Sequence, residues 1–276
     1  MNIEYAEYYS EASDSVARFA DTLADCHFDE VNQAVEVFAL QALAICRDNC
    51  RAISILLRQG LFAEPIIISR SLFELFFAIH WILEATTTEE KLERAYQLEA
   101  TPYHEFAKEV RLIEENFRGP DPRWSAQKVK EFRAVIEKIK NDSPFLLHMS
   151  KRNQLEFKKA PALADRMTPN ERLRFYQVYR FASFFTHPTP SLKQVYLKQT
   201  GTDQSIPDLM QEPLKQTLAY TMFFVQNVCW HCVRIFESYN SHQAPVRDEC
   251  HTNLRILLDK TNKGYFRTGP PAPSPS

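Results

Sequence analysis

Arg180 and His187 are the two residues whose types and spacing best suit joint action on a substrate. They lie in the segment Arg172 to Pro190, RLRFYQVYRFASFFTHPTP. A helix ending at His187 would place Tyr176, Arg180, Ser183 and His187 on one stripe, because separations of four, three and four residues follow the helical repeat. A guanidinium is always charged, whereas an imidazole titrates near neutrality. Such a pair suits phosphodiester cleavage: the arginine stabilises charge on the phosphate, and the histidine moves a proton to or from an attacking or leaving oxygen. RNA supplies its own 2′-hydroxyl, so this chemistry requires no metal. The same residues also fit a structural role, in which His187 satisfies the C-terminus of its own helix and Arg180 pairs with Glu74 in the core.

The elements that must position these groups are helices. Pro188 would end the one that carries them, since proline lacks the N–H a helix interior needs and pushes its predecessor out of the helical region. Phe175, Phe181, Phe184 and Phe185 surround the polar stripe, so charge is carried on a helix otherwise built for burial. A second helix is predicted over residues 63–85, AEPIIISRSLFELFFAIHWILEA, with Pro65 suited to an early helical position. This segment is long and apolar enough for a membrane span, but Arg70 and Glu74 fall near its middle and are costly in lipid. The reading is a central buried helix, with Arg70 and Glu74 four residues apart and tolerated in the core by pairing.

Composition excludes several function classes. The 276 residues, 45% hydrophobic and 25% charged, suit a globular chain with a sizeable core. Only five glycines occur, and neither a dinucleotide fingerprint nor a P-loop can be written with them. The net charge of −2 gives no global attraction to nucleic acid and leaves only local basic patches. The amino terminus, MNIEYAEYYSEASD, lacks a basic-then-apolar leader, which points to the cytoplasm. There, the six cysteines are expected as thiols instead of disulfides. Cys46/Cys50 and Cys229/Cys232 have spacing that could supply zinc ligands, yet both pairs sit in apolar helical patterns where cysteine is a small buried hydrophobe. No nucleophile-elbow serine and no His-Glu-x-x-His helix occurs. Glu89-Glu90 and Glu114-Glu115 read as solvated helix faces. Neither a cofactor nor a metal is expected.

Apolar periodicity predicts further helices over residues 3–26, 30–59, 88–116 with a kink at Pro102, 125–140, 212–239 and 245–259, with Gly60 closing the second. Residues 141–168 lose periodicity and read as a long basic loop containing Lys151, Arg152, Lys158, Lys159 and Arg166. No strand is predicted. The expected architecture is an all-α multi-helix bundle forming one domain over residues 1–262, with C-terminal helices over about 207–262 and a disordered proline-rich tail at 263–276.

The segment Arg180-Phe-Ala-Ser-Phe-Phe-Thr-His187 resembles the arginine-to-histidine motif of the HEPN superfamily of helical proteins. Arg70-Ser-Leu-Phe-Glu74, together with Tyr179-Arg180 and His187-Pro188, is similar to bacterial helical domains of unknown function related to that superfamily. The resemblance spans about residues 35–190. It implies an HEPN-like bundle and an endoribonuclease of the defence or toxin type, with Arg180 and His187 catalytic and Arg70, Glu74, Tyr176 and Ser183 as site companions. It also implies RNA as partner and a homodimer with a composite site. HEPN ribonucleases usually place a polar residue after the arginine, where this chain has Phe181. Many members are non-catalytic, so a silent helical interaction module is the alternative that the resemblance carries.

Overall fold

The computed structural model describes residues 2–23, 33–99, 126–131, 160–185, 208–236, 243–262 and a few isolated positions between them. The described chain is all-α, with no strand among the described residues. Its principal helices are α1 (Asn2–Asp21), α2 (Gln33–Arg58), α3 (Ala63–Leu83), α4 (Thr88–Glu99), α5 (Pro169–Phe184), α6 (Asp208–Ile235) and α7 (Ala244–Asn262), with a short 3₁₀ turn at Leu163–Arg166 before α5. The chain divides into two compact units, and the boundary falls inside α3, between His80 and Trp81.

The first unit holds the main core. On α2 the residues Ala39, Leu43, Cys46, Cys50, Ile53 and Leu57 are all buried, and their three- and four-residue spacing makes one apolar stripe. Tyr5, Tyr9, Val16 and Phe19 do the same on α1, and Phe73, Phe77, Phe224 and Leu254 join them from α3, α6 and α7. Polar tips of this core end on backbone carbonyls. Tyr9 donates to Leu218 O at 2.6 Å, Ser54 to Ala6 O at 2.7 Å and Ser13 to Arg47 O at 3.0 Å. Each bond joins two helices and removes the cost of a buried hydroxyl left alone.

Helix ends follow local sequence. Gly60 closes α2 at φ 73°, a left-handed conformation for which glycine has no Cβ penalty. Leu61 N–H donates to Leu56 O at 2.9 Å and Gly60 N–H to Leu57 O at 3.1 Å, the paired bonds of a Schellman C-terminus. α6 starts at Asp208 and runs through Pro213, earlier than the expected start at Glu212. α3 is long and apolar enough to cross a membrane by composition, but half of that stretch is buried inside the protein. Leu72, Phe73, Phe77 and Ile79 place its apolar residues in the core.

The second unit comprises residues 30–35 and 81–162. Its α4 begins at a cap in which Glu90 N–H donates to Thr87 Oγ1 at 3.1 Å while the Glu90 carboxylate accepts from Thr86 N–H at 3.1 Å. Arg94, one turn on, bonds Glu90 at 2.5 Å, donates to the Trp81 carbonyl and lies over the Trp81 ring. Pro102, with its expected kink, lies outside the described residues, as do Lys151, Arg152, Lys158, Lys159 and the tail from residue 266.

Candidate functional site

The candidate residues converge on α3 and α5. These helices run antiparallel, because Arg70 meets Tyr179 while His80, ten residues further along α3, meets Glu171 near the start of α5. α5 is started by Thr168 and Glu171 acting as a reciprocal capping box, with Pro169 in the first turn. The Glu171 carboxylate accepts from Thr168 N–H at 2.8 Å and lies 3.2 Å from His80 Nε2. Burial alone would raise its pKa, but the bonds from His80 and Thr168 outweigh it and hold the carboxyl below the usual range.

At the middle of α3, Arg70 Nε donates to Glu74 Oε1 at 2.9 Å, and a terminal nitrogen of the same guanidinium donates to Tyr179 Oη at 3.1 Å. The guanidinium also lies 5.1 Å from the centroid of the Tyr179 ring, within range for a cation–π contact. Burial opposes the Arg70 charge, and the bond to Glu74 overcomes it, so its pKa lies above the ordinary value. The expectation of a core pair is corrected: the Arg70 and Glu74 side chains retain 31% and 45% of their exposure. The cause is their place on α3, beside the buried Leu72, Phe73 and Phe77 and not within that stripe.

Arg180 does not pair with Glu74. It is exposed and makes no hydrogen bond or ion pair with any described residue. The adjacent Tyr179, a turn-face away, is the residue that faces α3. Tyr176 stacks on Tyr179 with ring centroids 5.6 Å apart, and Ser183 donates to the Tyr179 carbonyl at 2.8 Å. Arg166, expected in an open basic loop, instead lies partly buried on the 3₁₀ turn, where burial lowers its pKa and the nearby Glu74 charge opposes that shift. α5 ends at Phe184, and the N–H of its cap, Phe185, turns back to Ala182 O and Ser183 O. The expected helix end at His187 is therefore corrected by three residues, and His187 itself lies outside the described residues.

The described residues include no group of three or more histidine, cysteine, aspartate or glutamate side chains able to hold a metal ion. Cys46, Cys50, Cys229 and Cys232 are free thiols in the core, and burial pushes all four pKa values up. A thiol held protonated by its surroundings is a poor ligand and a poor nucleophile.

Residues 36–205, well over half of the chain, match a family of unknown function (DUF5677). The chain belongs to that family. No curated protein and no solved structure matches it significantly. The DUF5677 region takes in almost all of α2, together with α3, α4 and α5, and so every candidate residue from Arg70 to His187. α1 and the helices α6 and α7 lie outside it.

Sequence reasoning missed Tyr179 as the partner of Arg70, His80 and Glu171 altogether, and the burial of His231 beside His80. Thr168-x-x-Glu171 was a legible capping signal. His231, within an apolar run, gave none.

Proposed function

We propose that this protein is a metal-independent endoribonuclease of the defence or toxin type, HEPN-like, acting in the cytoplasm as a homodimer. In this reading Arg180 stabilises the phosphate charge, and His187 transfers the proton as the RNA 2′-hydroxyl attacks. The observation that carries it is the exposure of Arg180 on α5 without a partner among the described residues. A charge that served packing would be expected to face α3, as Arg70 and Tyr179 face each other. Anchored by Tyr179, α5 presents Arg180 on a fixed backbone, which limits the motion lost on binding a phosphate.

The test is cleavage of RNA by the full chain in the presence of a chelator, for the parent, Arg180→Ala and His187→Ala. Both substitutions are expected to lower the rate by at least about 100-fold, the lower range for loss of a charge-stabilising donor or of a proton-transfer group, with the circular dichroism and melting temperature retained. A folded His187→Ala protein that cleaves as fast as its parent sinks the assignment. Light scattering of the parent at working concentration checks the homodimer.

A second reading, a catalytically inactive helical interaction module, draws on a different observation. Arg70, Glu74 and Ser183 all use hydrogen bonds within the fold, while Leu173 stands 75% exposed between Arg172 and Arg174. A parent protein that cleaves no RNA offered would favour it.

A further inference from the structure

His231 of α6 is a buried polar side chain that the proposed chemistry does not use. It is 6% exposed, and neither ring nitrogen makes a hydrogen bond to a described residue. It packs against His80, with ring centroids 5.3 Å apart, and stacks on Phe76 at 5.8 Å. Phe76 also stacks on His80 at 5.6 Å, and His80 is bonded to Glu171. The charged or titratable groups acting on His231 are His80 from α3 and Arg234 from its own helix, with Glu171 of α5 joined to His80. A neutral imidazole can stand in this place at the cost of an unmade hydrogen bond. An imidazolium cannot stand there readily, because it would bring a second donor N–H and a full charge among rings, beside His80 and Arg234, with no acceptor among the described residues for either N–H.

We propose that His231 is a proton-operated latch between α6 and α3: when its ring takes up a proton it leaves its contact with His80 and Phe76 for solvent, and the C-terminal end of α6 loosens from α3. Burial first, then His80 and Arg234, push the folded pKa of His231 down to about 3, against an ordinary value of 6.5. The released ring therefore binds a proton below about pH 6.5 while the packed ring does not. Between these values the open form carries one more proton, so the packed form is favoured at neutral pH and gives way as the pH falls. Glu171 and the α5 cap stay in place through most of this window, since the bonds from His80 and Thr168 keep that carboxylate ionised. The latch does not depend on the ribonuclease reading.

Hydrogen–deuterium exchange of the full chain tests it, read at a peptide spanning residues 226–236 between pH 7.5 and 4.5 and corrected for the intrinsic pH dependence of amide exchange. The expected result is an opening equilibrium that is flat above pH 6.5 and rises about tenfold per pH unit well below it, while peptides from α1 do not follow. His231→Phe, which keeps a ring against Phe76, is expected to abolish the rise, and His231→Leu is the second variant should the first not fold. Three results overturn the proposal: no rise in the parent, the same rise without the imidazole, or an equal rise in every helix, which is general acid unfolding.

Discussion

Two polar clusters join α3 to its neighbours, and they solve burial in opposite ways. At Arg70, Glu74 and Tyr179 the charges are kept, because the guanidinium has acceptors in Glu74 and Tyr179 and water still reaches both charged side chains. At His80, Glu171 and His231, the His80–Glu171 contact touches a third group that is buried with no hydrogen-bond partner among the described residues, and that group is held neutral. A charge near a core survives where its donors are matched and solvent is near, and an imbalance appears where a titratable ring is closed in. The second cluster should therefore respond as the pH falls below about 6.5, through His231.

The strongest way to break this comparison is to remove the wall behind the first cluster. Phe73 is buried and touches Phe77, Tyr179 and Phe224 at ring distances of 4.9 to 5.1 Å. Phe73→Ala is expected to cost about 3–5 kcal/mol in chemical denaturation, the usual range for a large aromatic left as a cavity. A cost below about 1 kcal/mol would mean that α3 does not pack there. A smaller effect is expected from Thr168→Ala, which deletes the hydroxyl of the capping box that holds Glu171 for His80. It should cost about 1 kcal/mol, and the loss should be shared by Glu171→Ala in a double-mutant cycle; strict additivity would show that the cap and the His80–Glu171 contact are independent.

The smallest effect is expected at the pair that the sequence made look most critical. Glu74→Ala should cost about 1 kcal/mol or less, since a half-exposed i,i+4 pair gains little over hydration. A loss of about 3 kcal/mol or more in the same denaturation experiment would place Glu74 in a buried pair and erase the contrast between the clusters.

Apolar periodicity and end signals are properties of neighbouring residues, so the sequence alone determined the helical class, the Gly60 terminus and the long apolar α3. The helical periodicity of α1 and α2 was legible for the same reason, since a repeat of three and four residues turns composition into a face, but the buried face of α2 runs through Ala39, Leu43, Cys46 and Cys50. The choice of partners was not local. Which of two adjacent residues on α5, Tyr179 or Arg180, turns to Arg70 depends on the rotation of one helix against another, and a shift of one residue moves a side chain by about 100° around the axis. Spacing could not distinguish Arg180 facing α3 from Arg180 facing water; packing placed Tyr179 against Arg70 and left Arg180 exposed. Nor could it find His231, which is 151 residues from His80 along the chain and becomes its neighbour only when α6 lies against α3.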